Sequence, residues 1–309
     1  YYFRSAVGFS YGYFLSNVMV LLLFLPFFHF FFQPIKLSWN KNALQLLKMS
    51  WPLSLGFTST WIYLNIAAIS LGYFNLIVEN GWYGAASKMA LIIVLPATLI
   101  IRSFYPLLSN FFVSSKEKLI KTWNYLMLSM ILFAIPMAVG GITLASKIIE
   151  LFYGSAFMPA VFIFQFLIIV MVITLLNYPY NLILVVSDNQ KKNFCIIVAG
   201  VLIHVVLNVV LIPVYGLAGL IISMLAATII VFFLTILVVK HFSQVNIPIF
   251  NMTLAKNTLI SIIASGIMFF VITLPFISHL HVVLITIIGA VTYALIMLLF
   301  VSPKLLNAK

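Results

Sequence analysis

The chain has 309 residues, of which 65% are hydrophobic and only 6% charged, and its mean hydropathy is +1.25. That composition leaves too little polar surface to cover a water-soluble globule of this size, so the chain must be solvated by lipid. A formal net charge of +12 would suggest nucleic acid as the partner of a soluble protein, but in a membrane protein lysines and arginines record topology instead, and no nucleic-acid partner is expected.

Apolar runs of roughly 20 residues or more predict membrane spans, and about nine can be placed, at 7–32, 51–77, 82–112, 123–145, 157–186, 194–213, 215–239, 254–276 and 280–301. The runs are continuous rather than alternating, which excludes a closed barrel and predicts an all-α polytopic membrane protein. The sequence opens on Tyr1 without an initiator Met, a basic n-region or a small-residue cleavage site, so the expectation is a cut N-terminus rather than a signal peptide. Cys195 is the only cysteine, which excludes an internal disulfide and a cysteine metal cluster.

The joints differ in character. The segment 37–50, LSWNKNALQLLKMS, sets Leu37, Leu44 and Leu47 on one side and Lys41 and Lys48 on another, as expected of a helix lying in the interface. The joints at 114–121 (SSKEKLIK) and 187–193 (SDNQKKN) are short, polar and basic, whereas those at 75–81 and 146–155 are nearly neutral. Counted on alternate sides, Lys36, Lys41, Lys48, Arg102, Lys116, Lys118, Lys121, Lys191, Lys192, Lys240, Lys256, Lys304 and Lys309 gather on one side, and Arg4 and Lys147 on the other. The tendency of basic loops to stay inside then predicts a cytoplasmic C-terminus and an outer Tyr1 in the cytoplasmic membrane. Pro52, Pro96, Pro106, Pro136, Pro179 and Pro275 fall in or at the ends of spans, where each frees a backbone carbonyl that a neighbouring helix or water must satisfy.

Within the spans two charges stand out, Lys88 and Arg102 in the third. Fourteen residues separate them, which on a helix brings them within roughly 40° of one direction and about 21 Å apart, with Ile92, Leu95 and Leu99 between them on the same face. One reading is that both snorkel to opposite interfaces; the other is a cationic face towards an aqueous cavity, attractive to phosphate or acidic sugar. Weaker polar clusters are Thr58, Asn65 and Gly72 in the second span, Asn177, Tyr178, Pro179, Tyr180 and Asn181 in the fifth, and Gly200, His204 and Asn208 in the sixth. Interhelical hydrogen bonds and close packing account for such clusters as a rule, but if they share one cavity, amides, a phenol and an imidazole suit sugar hydroxyls.

Enzyme chemistry has little to work with. The acidic residues are Glu79, Glu117, Glu150 and Asp188, all expected in loops or at boundaries, and no paired-carboxylate motif is present. His204 has no nucleophile at a telling spacing, and His279 and His281 lack further metal ligands, so neither a cofactor nor a metal is expected. The different-class alternative, a membrane-embedded polysaccharide polymerase or ligase, would need a long outer loop with catalytic residues.

The blocks LGYF (71–74), GWYGAASKM (81–89), FYPLLS (104–109), IIELFYGSAFMPA (148–160) and NVVLIPVYGLAG (208–219), in that order, resemble the polysaccharide (O-antigen or capsule type) flippases of the multidrug/oligosaccharidyl-lipid/polysaccharide exporter superfamily. The last block is the most specific. The resemblance implies two six-helix lobes around a central cavity and transfer of polyprenyl-pyrophosphate-linked oligosaccharides between leaflets. On that template residues 1–35 are the last helix of a truncated N-terminal lobe, 36–242 the C-terminal six-helix lobe and 243–309 two additional helices. Its implied partners are a lipid-linked oligosaccharide, membrane lipid and the missing lobe, with Lys88 and Arg102 first among the substrate contacts and Asn65, Asn177, Tyr180, Asn181, His204 and Asn208 after them. Ion-coupled members commonly use an intramembrane carboxylate, from which this chain departs. A drug or ion antiporter, or a peptidoglycan-precursor flippase, of the same superfamily is the alternative.

Overall fold

A computed structural model describes residues 6–31, 62, 65–243, 245, 247 and 252–300, and its contacts divide the chain into two units, Tyr1–Leu53 and Ser54–Lys309. In the first unit the described residues form one helix, α1 (Ala6–Phe31), with its apolar stretch at Tyr11–Pro26. The interfacial helix expected over 37–50 lies outside the described residues, as does most of the first half of the second span.

The second unit begins, in its described part, with helix α2 over 65–73. After it come α3 (Ile77–Ser114), α4 (Lys116–Thr143), α5 (Ala145–Tyr153), a short 3-10 turn (Ser155–Phe157), α6 (Ala160–Val186), α7 (Gln190–Phe242), α8 (Met252–Thr273), α9 (Pro275–Ser278) and α10 (Val282–Phe300). Six of these, α3, α4, α6, α7, α8 and α10, are long and apolar enough to cross a membrane. Among the described residues every regular element is helical, as a hydrocarbon environment demands of open segments, because a helix satisfies its own backbone.

Short breaks separate the spans. Asn75 and Asp188 take φ of 58° in their joints, a left-handed conformation that Asn and Asp tolerate better than other side chains. Between α3 and α4 only Ser115 is extended, and its hydroxyl accepts the Lys118 N–H at 3.4 Å. The joint expected at 146–155 is largely helical. In α5, Ile149 turns inward and Glu150, Leu151 and Phe152 stay exposed, so the charges that mark a joint sit on a short amphipathic helix.

The sixth and seventh spans form one helical segment that doubles back at Gly216, where φ is 55° and ψ −130°. That backbone region belongs essentially to glycine. Three residues on, Gly219 lies so close to the preceding strand of chain that a Cβ there would sit 2.3 Å from the Leu211 carbonyl oxygen. The two halves, 190–215 and 217–242, therefore run antiparallel, and Asn189 Nδ2 donates to the Phe242 carbonyl at 3.1 Å where their free ends meet.

At the centre stands α6, packed against α3, α4 and α7, while α8 and α10 pair with each other and lean on α4. Leu71, Ala86, Leu108, Trp123, Met130, Phe164, Leu175 and Ile183 belong to the main core, and Met268, Ile272 and Ile285 join Leu144 in a smaller cluster where the last helices meet the bundle. Two cross-helix bonds meet the backbone needs of this packing. Gln165 Nε2 donates to Ile142 O at 3.1 Å, a carbonyl in the last turn of α4. Tyr293 Oη donates to Leu132 O at 2.9 Å, the acceptor four residues before Pro136.

Helix directions also fix where the charges lie. Trp123 Nε1 donates to the Pro179 carbonyl at 3.1 Å, which puts the start of α4 beside the end of α6. Lys116, Lys118, Lys121, Lys191, Lys192, Lys240 and Lys256 therefore gather at one end of the unit. At the other end Glu79, Glu150 and Lys147 are found, and Lys147 is held in structure, its ammonium donating to the Ser278 carbonyl.

Candidate functional site

The site begins with the two faces of α3. Tyr83, Ala86, Ala90, Val94, Ala97, Ile101 and Leu108 point into the bundle, and the alanines among them let α4 and α6 approach closely. The opposite face carries Lys88, Ile92, Leu95, Leu99 and Arg102, and all five are exposed. The grouping read from helical periodicity thus holds past Pro96, and no described helix of this unit covers it.

Two backbone groups belong to the same stretch. Pro96 and Pro106 lie inside α3 and have no N–H to offer the carbonyls four residues earlier, those of Ile92 and Arg102. A carbonyl freed in this way is re-satisfied by local helix adjustment, a nearby side chain, a neighbouring helix or water. The face therefore offers two cations about 21 Å apart and backbone acceptors beside them, a set that can bind phosphate and accept hydrogen bonds from hydroxyls.

The remaining sequence-predicted residues lie elsewhere. Asn208, 1% exposed, donates from Nδ2 to Ser70 Oγ at 2.9 Å, and its Oδ1 accepts from the Ser223 hydroxyl. It thereby pins α2 and both halves of α7 together. His204, 2% exposed, is one turn away on the same inward face, between Gly200 and Asn208. Tyr180 is buried with its ring edge-on to Trp123, centroids 5.2 Å apart, and 6.1 Å from Phe232. Asn177 is buried with Oδ1 lacking a hydrogen-bond partner among the described residues, Asn181 is half-buried, and so is Asn65. The structure brings Lys88 and Arg102 onto one open face and encloses Asn177, Tyr180, His204 and Asn208 in the bundle.

Ser70 and Ser223, which complete the Asn208 cluster, were not singled out by sequence, because single serines in apolar spans carry no periodic signal. The proline rule did carry one: a carbonyl freed by Pro136 had to find a donor, although nothing in the sequence pointed to Tyr293.

Fold and site together define a multi-pass α-helical membrane protein whose first long described span presents a cationic face. The fold is similar to that of a solved structure, lipid II flippase MurJ in its inward closed conformation, with a TM-score of 0.68 at 19% sequence identity, over 87% of this chain and 57% of that chain. No family model matches the chain, and no curated protein matches it. At this level of identity the likeness is one of fold, and the chain spans less than two thirds of the solved one.

Proposed function

We propose that the chain forms part of an alternating-access flippase, not an enzyme, that moves polyprenyl-pyrophosphate-linked oligosaccharide repeat units across the cytoplasmic membrane for cell-surface polysaccharide assembly. The observation that carries this reading is the exposed face of α3 with Lys88 and Arg102, on a helical fold like that of a lipid II flippase. Lys88 holds the pyrophosphate or an acidic sugar while the lipid tail stays in the bilayer, and Arg102, towards the basic end, assists at entry. That end faces the cytoplasm, in keeping with the distribution of lysines, and the C-terminus with it. A second lobe supplies the opposite wall of the pathway. Asn208 serves packing in this arrangement, and Asn65, Asn177, Tyr180, Asn181 and His204 reach a headgroup only if the bundle opens.

A peptidoglycan precursor is the second reading, and the solved neighbour favours it, since that protein is described as a lipid II flippase. Both substrates share a lipid tail, a phosphate bridge and sugar. In the full-length protein Lys88→Ala should lower surface glycan at unchanged protein level, and Lys88→Arg should retain most of it. Export at the wild-type level by the Ala variant sinks the assignment. Cell lysis with intact surface glycan would instead select the peptidoglycan precursor.

A further inference from the structure

The doubling back of α7 builds a second basic site, at the edge of the bundle rather than on α3. Its two free ends meet where Asn189 bonds the Phe242 carbonyl. There the Lys192 ammonium lies 3.7 Å from the centre of the Phe242 ring and donates to Asn189 Oδ1 at 2.7 Å, while the His241 ring stands edge-on to Phe242 at 4.6 Å. Lys192 is thus fixed in place by a cation–π contact and a hydrogen bond rather than trailing in solvent. Beside it Leu237, Val238, Lys240, His241 and Phe242, all in the last turns of α7, line a shallow, open groove of about 460 Å³.

The charge at this corner is one-sided. Lys191, Lys192 and Lys240 face a single carboxylate, Asp188, in the same joint. Below the cations the wall is apolar: Phe233 and Leu237, one helical turn apart on α7, are 58% and 62% exposed. Cations at the mouth of a groove that continues into an apolar, membrane-spanning surface match a phospholipid in both halves, headgroup phosphate above and acyl chain below. A free phosphate would use only the upper half. Basic pockets between transmembrane helices on the side richest in lysine bind anionic headgroups for this reason.

We infer that the groove at the end of α7 is a binding site for one anionic phospholipid of the surrounding membrane, its phosphate on Lys240 and His241 and its acyl chain along Leu237 and Phe233. Lys192 supplies longer-range attraction and keeps Phe242 in position as the side wall. This inference is independent of what the protein transports.

The test uses native mass spectrometry of the full-length protein in detergent, incubated with tetraoleoyl cardiolipin or with dioleoyl phosphatidylethanolamine. The wild type should retain cardiolipin in preference to phosphatidylethanolamine, and millimolar inorganic phosphate should not displace it. Lys240→Gln should weaken cardiolipin retention about fivefold, the effect of roughly one lysine at an anionic surface, and Lys240→Arg should restore it. Leu237→Ser should weaken it too, although it removes no charge. Equal retention of the two lipids by the wild type, or unchanged cardiolipin retention in Lys240→Gln, overturns the site. Displacement by inorganic phosphate overturns the choice of a lipid as the occupant. Lys240 is exposed at the end of its helix, so its loss does not open the core, and should the Gln variant still fail to fold, the competition between the two lipids on the wild type decides alone.

Discussion

Tyr293 gives its hydroxyl hydrogen to the Leu132 carbonyl at 2.9 Å, and Leu132 is the residue whose helical partner would be Pro136. The carbonyl that Pro136 leaves without its helical donor and the seating of α10 are therefore linked. Ser261 Oγ lies 2.7 Å from the same phenol, so the hydroxyl can accept from α8 while it donates to α4. One phenol thus ties α8 and α10 to the carbonyl that Pro136 frees in α4.

That coupling can be measured. Tyr293→Phe should lower the stability of the folded protein in detergent by about 1 kcal/mol, the size of an interhelical hydrogen bond in a membrane protein. In a Pro136→Ala background the Leu132 carbonyl regains its own helical N–H, and the same substitution should cost less than half as much. A double-mutant cycle on thermal or denaturant unfolding reads the difference. Equal cost in both backgrounds means that the bond to Leu132 contributes nothing and that Tyr293 acts through packing or through Ser261.

The hairpin in α7 rests on two glycines for different reasons. Gly216 needs its backbone conformation, and Gly216→Ala should cost roughly 1–3 kcal/mol in strain. Gly219 needs the space, since a methyl there meets backbone at Leu211 rather than a side chain that could rotate away. Gly219→Ala should therefore reduce the folded fraction by fluorescence-detected size exclusion at least as much as Gly216→Ala. Gly84→Ala, where a Cβ meets nothing within 4 Å, should leave it unchanged.

The sequence states the spans because twenty apolar residues in a row have few other uses, and each long described helix falls where its run of hydrophobic residues does. The division between the sixth and seventh spans was also legible, drawn between 213 and 215, although the turn itself falls at Gly216, which that division put inside the seventh span. The helical character of 145–153 was not: Lys147 and Glu150 marked a joint, and a nine-residue helix is too short for its period to outweigh two charges. Contacts were the least legible part. Asn208 pairs with Ser70, 138 positions away, and no local property of either residue names the other. For the candidate site, spacing alone placed Lys88 and Arg102 on one face; that the face is uncovered depends on which side α4 and α6 choose to pack, and small inward residues such as Ala86, Ala90 and Ala97 make that choice.

Whether the uncovered face of α3 is wet can be decided with thiols. Only a thiolate reacts with a water-soluble methanethiosulfonate, and a thiolate forms in water but not in hydrocarbon. In a Cys195→Ala background, Leu95→Cys and Leu99→Cys should react about tenfold or more faster than Leu295→Cys, an exposed position on α10. Saturating lipid-linked oligosaccharide should slow the first two and leave the third alone. If all three react equally slowly, the face of α3 looks into lipid, Lys88 and Arg102 snorkel to the interfaces, and the transport reading loses its main support.

The proposed orientation rests on the basic end, and it too can be checked. Ser155 and Gln190 are both exposed and lie at opposite ends of α6, so a cysteine at either disturbs little. In the Cys195→Ala background, a membrane-impermeant maleimide should label Ser155→Cys in intact cells and Gln190→Cys only after permeabilisation, as expected if Lys191, Lys192 and Lys240 hold their end in the cytoplasm. The reverse pattern would place those lysines outside. It would also move Arg102 from the entrance of the proposed pathway to its exit, so that Lys88, nearer the opposite end of α3, would be the first cation that a headgroup met.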